Sequence, residues 1–355
     1  MSTGLENALL LCDILSVLDR ANPKSLLKAF EQECLGLTGP VLITEDGSRQ
    51  PLFNVFAWEN RNIQLLLSIS PEMMPCNETS SGNCSTYVFI KTFRQKRALT
   101  FTRAEIKHLD QLRNLSNSNL NPFIGISFNQ GRELMVVWTY CPRSSLDYII
   151  FEKERRFGRT FQCSFLKHIL KGLEYIHGSS IKFHGSLFLS NCVVDANWVV
   201  KLTDFGLQEI IWDKMLHKEL SCFQGVDVER LPLTFVIEYL QLPPEMLRNV
   251  LAEGLLGSGS AKADVYQLGM IVYQILFHAR PYADKSGLTT KELASIICDR
   301  FGDRTDQPFY PTVAEQHEYT TRLLSVMQQC WAKEVEIRPE LYVISDAVAR
   351  EFESE

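Results

Sequence analysis

A series of short motifs in a fixed order constrains the fold of this chain more than any other feature. A predicted strand ends in a lysine, a predicted helix begins with a glutamate, and a histidine loop, a hairpin and an Asp-Phe-Gly turn follow. The corresponding segments are YVFIK at 87–91, Glu105, HGSLFLSN at 184–191 and DFG at 204–206. Each motif alone is common and has an ordinary structural explanation. Their order and spacing together do not, so the series predicts one fold.

Hydrophobic periodicity divides the chain into a small strand-rich part and a larger helical part. From residue 87 onward a strand, a helix from about Thr102 and two strands through Trp138 are predicted, and mostly helices follow. The run DVYQLGMIVYQILF at 264–277 is too short to cross a bilayer and too apolar for a surface, so it predicts a buried central helix. We therefore predict an α+β fold with two lobes, a β-rich one at 87–140 and a helical one at 141–350, with a tail at 351–355.

The first 86 residues have a different pattern. The pattern in residues 1–70 predicts two short helices, a strand at 41–43 that enters a hairpin, and further strands at 52–69, which together make a small α/β segment. Residues 71–86 are polar and predict a linker. Cys76 and Cys84 flank two glycosylation sequons there, as an extracellular stem would, although a third sequon at Asn114 falls inside the predicted β-rich lobe.

Composition excludes several classes of protein. The net charge is -6 with no long run of either sign, so nucleic acid is not expected as a partner. The 10 cysteines have no C-x-x-C spacing, and most lie in apolar segments, which is typical of a reduced intracellular protein. The sequence contains neither 18 consecutive apolar residues nor a secretion signal, so this chain is not expected to span a membrane.

The motif series matches the chemical requirements of phosphoryl transfer, with one exception. That reaction needs a strand lysine for the phosphates, a helix carboxylate that holds the lysine, two magnesium ligands and an aspartate that accepts the hydroxyl proton. Lys91 and Glu105 fit the first two requirements, and Asn191 and Asp204 fit the magnesium ligands. Ser186 occupies the position of the proton-accepting aspartate.

Residues 87–350 resemble a protein kinase domain, and more narrowly the kinase-homology domain of receptor guanylate cyclases. The segment HGSLFLSNCVVD at 184–195 is similar to that family's H-G-x-L-x-x-S-N-C-V-V-D motif. The resemblance implies a hinge at 140–146, where Tyr140 and Cys141 would lie beside an adenine. It also implies structural roles for His184, which lies in a loop held by Asp264, and for Glu245, which would pair with Arg338.

The departures from the kinase pattern predict a regulatory domain without catalytic activity. Ser186 cannot act as the base, and Gly185 replaces the arginine that pairs with a phosphorylated activation loop. Gly82 is the only glycine between residues 70 and 91, so no glycine-rich loop covers the phosphates, and the bulk of Trp138 would fill the rear of the adenine pocket. We expect the chain to bind ATP more weakly than an active kinase does, and magnesium is a candidate cofactor at the same site. An active kinase with an unusual catalytic loop and a nucleotide-free scaffold or dimerisation module are the alternatives.

The resemblance also carries expectations about the parent protein. Such receptors cross the plasma membrane once, dimerise, and pass a ligand signal through a cytoplasmic kinase-like part to a cyclase domain that makes cyclic GMP from GTP. Residues 25–70 are similar to the last strands of these receptors' ligand-binding ectodomain, which implies that the α/β segment at 1–70 is a membrane-proximal remnant of that ectodomain. The transmembrane helix and the cyclase domain are missing from this sequence, which predicts a truncated or alternatively spliced product, or an imperfect gene model.

Overall fold

The computed structural model describes most of the chain from residue 88 onward. The described ranges are 88–128, 133–153, 155–222, 238, 240–253, 259–285, 287–299, 309–314 and 317–352, together with the backbone of four strands between residues 42 and 69. The helices predicted near the amino terminus, the linker at 71–86, Cys76, Cys84 and their two sequons lie outside the described residues.

Four strands precede residue 70, in the segments where the sequence predicts them. Strand β1 (Leu42–Ile43) pairs antiparallel with β2 (Arg49–Gln50), which gives the predicted hairpin. Strand β3 (Phe53–Glu59) pairs with β4 (Asn62–Ile69), with a register shift between Val55 and Phe56. The predicted strand region at 52–69 is therefore a second hairpin.

The chain forms two compact units, and the first of them is rich in strands. It comprises residues 1–106, 123–140 and 218–223. Its main sheet contains β5 (Val88–Gln95), β6 (Phe123–Phe128), β7 (Glu133–Thr139) and β10 (Leu220–Cys222), in the order β10-β5-β7-β6. All three pairings are antiparallel. Helix α1 (Arg103–Arg113) follows β5, at the position that the sequence predicts.

The second unit is largely helical and comprises residues 107–122, 141–217 and 224–355. A two-stranded sheet of β8 (Cys192–Val194) and β9 (Val200–Leu202) confirms the predicted hairpin. The α-helices in the described part of this unit are α2 (Arg159–Gly178), α3 (Gln208–Leu216), α4 (Pro244–Glu253), α5 (Ala261–Phe277), α6 (Thr290–Asp299), α7 (Thr321–Cys330) and α8 (Leu341–Phe352). The architecture is α+β, with a strand-rich unit and a helical unit, as predicted.

Helix α5 is the buried central helix that the sequence predicts. Every residue from Ala263 to Leu276 is buried. Ser260 caps its first turn, because the serine hydroxyl accepts a hydrogen bond from the Ala263 N–H at 3.0 Å. Among the described residues, no helix has both the length and the apolar character that crossing a membrane requires.

The close packing of α5 makes Gly269 sensitive to substitution. A Cβ at this position would lie 2.7 Å from Cys330 Cβ and 2.8 Å from Trp331 Nε1. We expect Gly269→Ala to lower the free energy of unfolding by about 1–3 kcal/mol, because overpacking forces neighbouring groups apart. Chemical denaturation measures this change. Gly178→Ala is the matched control, since no atom lies within 4 Å of its Cβ position. An equal loss in both variants would contradict the packing explanation.

Candidate functional site

Lys91 lies in the middle of β5, a strand that pairs with β7 and, at residues 93–95 alone, with β10. Its register partner in β7 is Val136. Lys91 and Phe93 leave the sheet on the same face because they are two residues apart. The ammonium group lies 5.9 Å from the centroid of the Phe93 ring, and the Lys91 side chain is exposed. The strand therefore presents the lysine at the surface of the first unit.

Glu105 forms a capping box at the start of α1. Its Oε2 accepts a hydrogen bond from the Thr102 N–H at 2.6 Å, and the Glu105 N–H donates to Thr102 Oγ1 at 3.2 Å. This reciprocal arrangement satisfies two amides that a helix start leaves without intrahelical partners. This capping box was not predicted from the sequence, although Thr-x-x-Glu is its signature. The pairing of Glu105 with Lys91 remains a prediction.

The loop around His184 is fixed by Asp264 of α5. The Asp264 carboxylate is fully buried and accepts hydrogen bonds from the backbone N–H groups of His184 at 2.7 Å and Gly185 at 2.9 Å. His177 donates its Nε2–H to the same carboxylate at 2.8 Å. Burial lowers the pKa of His184 to about 4, so its imidazole is neutral at physiological pH. The neutral ring can then accept a hydrogen bond at Nδ1 from the Ser186 N–H, at 3.3 Å.

Both the side chain and the backbone of Ser186 form hydrogen bonds. Its hydroxyl donates to the backbone oxygen of Asp204 at 3.4 Å. Its own carbonyl accepts a hydrogen bond from Asn191 Nδ2 at 2.8 Å. At this position the loop therefore presents a hydroxyl group that already donates a hydrogen bond. It presents no carboxylate.

Asn191 and Asp204, the predicted magnesium ligands, lie in adjoining segments of the second unit. The Thr203 N–H donates to the Asn191 carbonyl at 3.0 Å, which joins the segments just before Asp204. Asn191 Nδ2 donates to Ser186 O, and within the described part of the chain no hydrogen bond reaches the Oδ1 atom of the same amide. An amide oxygen and a carboxylate are ligands that magnesium accepts, with water and phosphate completing its shell. The donor set fits a magnesium ion that arrives with a nucleotide.

The Asp-Phe-Gly turn depends on Gly206. Asp204 and Gly206 both have positive φ angles, of 60° and 68°. A Cβ on Gly206 would lie 2.7 Å from a Leu112 methyl group and 2.8 Å from one of Ile181. The Gly206 N–H donates to His184 O at 3.0 Å, and His108 donates to Gly206 O at 2.6 Å. Only glycine fits here, because the turn needs both the positive φ and the space.

The predicted hinge residues lie at the division between the two units. Tyr140 is the last residue of its segment in the first unit and is exposed, whereas Cys141 begins a segment of the second unit and is buried. The Cys141 thiol lies 3.7 Å from Asn121 Oδ1, and burial raises its pKa to about 11. Cys141 is therefore an unreactive thiol at neutral pH. Trp138 is fully buried, with its ring 5.0 Å from that of Phe123.

Glu245 and Arg338 form a bidentate ion pair in the second unit. Arg338 Nη1 lies 2.7 Å from Glu245 Oε1, and Nη2 lies 2.8 Å from Oε2. The guanidinium also donates to the backbone oxygens of Ala332 and Lys262, at 2.9 and 3.0 Å. The Arg338 side chain is fully buried, whereas Glu245 is 34% exposed. This pair links the start of α4 to the segment before α8.

Comparison with known proteins agrees with the resemblance to kinases and to receptor guanylate cyclases that the motifs indicate. The profile of the protein tyrosine and serine/threonine kinase family matches residues 73–348. The chain is 31% identical over 270 residues to the receptor-type guanylate cyclase gcy-23 of Caenorhabditis elegans, which covers 72% of this chain and 24% of that protein. It is 30% identical over 276 residues to the receptor-type guanylate cyclase Gyc76C of Drosophila melanogaster, covering 77% of this chain and 17% of that protein. The chain thus spans less than a quarter of the length of these curated relatives.

Proposed function

The chain belongs to the protein tyrosine and serine/threonine kinase family, and we propose that it is an inactive member that binds ATP as the regulatory domain of a receptor-type guanylate cyclase. The relatives named above are receptor-type guanylate cyclases and support the second part of this proposal. In that role the domain lies on the cytoplasmic side of the membrane, dimerises through the receptor and relays a ligand signal to a cyclase domain.

The proposal that the domain is catalytically inactive rests on one observation: Ser186 stands where a kinase places its proton-accepting aspartate. Its hydroxyl already donates a hydrogen bond to Asp204 O. A serine hydroxyl is not a base at neutral pH, whereas a positioned carboxylate contributes about 10²- to 10⁴-fold to proton transfer. His184, two residues away, uses its Nδ1 to accept from the Ser186 N–H. Neither side chain supplies the missing carboxylate.

The residues that would hold ATP are retained. Lys91 is exposed on β5 and would bind the phosphates, which its ammonium attracts as a point charge. Asn191 Oδ1 and the Asp204 carboxylate would ligate magnesium, which neutralises phosphate charge when it is bound. Tyr140 and Cys141 offer backbone groups to an adenine. Binding of a nucleotide does not require the catalytic base that Ser186 replaces, so the domain can bind ATP without transferring its phosphate.

Titration with ATP tests the proposal. A ligand that binds only the folded state at 100 times its Kd stabilises that state by about 2.7 kcal/mol, so we expect the melting temperature to rise by several degrees. Magnesium should increase the shift and Lys91→Ala should abolish it. Lys107→Ala, on an exposed position of α1, is the matched control and should retain the shift. The absence of any shift in the wild-type chain, together with a retained oligomer on crosslinking, would favour the nucleotide-free scaffold.

A further inference from the structure

The turn between β8 and β9 contains a tryptophan in a backbone conformation that glycine usually adopts. Trp198 has a φ of 63°, which is unfavourable for a bulky side chain. Such conformations cost about 1–3 kcal/mol and persist only where the surrounding contacts hold them. In this turn the Asp195 carboxylate accepts hydrogen bonds from the N–H groups of Asn197 and Val199, at 2.8 and 3.0 Å. A glycine would satisfy the same turn, so the contacts of the indole ring account for the tryptophan.

Three phenylalanine rings pack against the indole ring of Trp198. The centroids of Phe157, Phe161 and Phe165 lie 5.9, 5.6 and 6.5 Å from that of the indole. Phe157 and Phe165 are buried, whereas Phe161 is 42% exposed and Trp198 is half-buried. The cluster therefore joins the hairpin to the start of α2 and leaves part of an aromatic surface open to solvent.

Two exposed arginines lie against the same indole ring. The guanidinium carbons of Arg143 and Arg155 lie 4.3 and 5.2 Å from its centroid. Arg143 is held in place, because its Nε and Nη2 both donate to Ala196 O, at 3.1 and 2.9 Å. In the residues that the structure describes, neither guanidinium has a carboxylate partner. The Asp195 carboxylate of the turn lies 3.9 Å from Lys201 Nζ instead.

We propose that Arg143, Arg155, Phe161 and Trp198, which we call the arginine–tryptophan patch, bind a segment of a partner protein that carries acidic and apolar side chains. A guanidinium binds a carboxylate through two parallel hydrogen bonds. Both guanidinium groups lie close to one ring, so a single short segment can reach them. The contacts of Arg143 with Trp198 and Ala196 restrict its side chain before the partner arrives, which lowers the entropic cost of binding.

The chemistry of the patch favours a protein segment over an anionic membrane. Polybasic segments are attracted to lipid headgroups by their summed charge. This chain has a net charge of -6 and no long run of basic residues. Arginine and tryptophan are residue types that contribute strongly to protein interfaces, and the exposed ring of Phe161 offers an apolar contact beside them. The inference is independent of ATP binding, because its residues all differ from those proposed to hold the nucleotide.

Fluorescence anisotropy with a short labelled peptide of glutamate and leucine tests the proposal. We expect the wild-type chain to bind this peptide about tenfold or more tightly than a matched peptide of glutamine and leucine. Arg143→Gln combined with Arg155→Gln should weaken binding of the acidic peptide by about tenfold. Arg94→Gln combined with Arg97→Gln is the matched control, since it makes the same change of charge at two exposed arginines of the first unit. The control should change the affinity by less than about twofold.

Two further variants separate the roles of the ring and of the guanidinium shape. Trp198→Gly keeps a residue that adopts the positive φ without strain, and it removes the ring against which Arg143 lies, so it should weaken binding by about threefold or more. Arg155→Lys retains the charge without the forked donors and should give an intermediate loss. Wild-type chain that does not bind the acidic peptide, or a double glutamine variant that binds it equally well, would overturn the proposal. Tighter binding to phosphatidylserine vesicles than to the peptide would overturn the assignment to a protein segment.

Discussion

Asp264→Ala is expected to lower the free energy of unfolding by about 4 kcal/mol. The buried Asp264 carboxylate accepts hydrogen bonds from the backbone of His184 and Gly185 and from the His177 ring. Its removal leaves these donors without their acceptor, and each unsatisfied buried group costs about 1–3 kcal/mol. Urea denaturation of the two proteins measures the difference.

The matched variants separate hydrogen bonding from the loss of any acidic residue. Asp264→Asn retains one acceptor oxygen and should show an intermediate loss. Glu174→Ala removes an exposed carboxylate of α2 and should change the free energy of unfolding by less than about 0.5 kcal/mol. If Asp264→Ala were as stable as Glu174→Ala, the Asp264 carboxylate would not be holding the loop around His184.

Glu245→Ala is expected to cost about 3 kcal/mol. It leaves the Arg338 guanidinium, which is fully buried, without its carboxylate. Loss of one partner of a buried ion pair typically costs 3–5 kcal/mol. The lower end applies here, because Glu245 is a third exposed and two backbone oxygens still accept from Arg338.

A double replacement distinguishes the unpaired charge from a simple loss of packing. Glu245→Leu combined with Arg338→Met removes both charges and should recover much of the stability that Glu245→Ala loses. Asp346→Ala breaks the exposed pairs with Arg322 and Arg350 and should destabilise the protein far less than Glu245→Ala does, because exposed ion pairs are screened by water. A double variant less stable than Glu245→Ala would show that the ion pair itself contributes the stability.

The fold could be predicted from the sequence where the hydrophobic pattern is strong and local. Helix α5 contains a long apolar run, and β8 and β9 flank a turn, so both elements follow from neighbouring residues. Strand β10 could not be predicted in this way. It contains only three residues, and its partner β5 lies far away in sequence, so no local period indicates the pairing.

The candidate site was predicted as a set of residues with a few side-chain pairings, and its contacts with backbone atoms were not predicted. Ser186 could be identified as the replacement for an aspartate because His184 and Asn191, on either side of it, have the spacing of the kinase catalytic loop. The hydrogen bond from Ser186 to Asp204 O and the donation from His108 to Gly206 O depend on backbone atoms that no motif specifies. The capping box at Glu105 is different, since Thr102 stands three residues before it and could have revealed it.

Transfer of a labelled γ-phosphate from ATP tests the central claim most directly. The chain is incubated with magnesium and labelled ATP, and phosphate on the chain itself and on general protein substrates is measured. The absence of a carboxylate at Ser186 predicts no incorporation above that of an Asp204→Ala control. Incorporation at the rates of active kinases, about 1–100 per second, that disappears in Asp204→Ala would contradict the account.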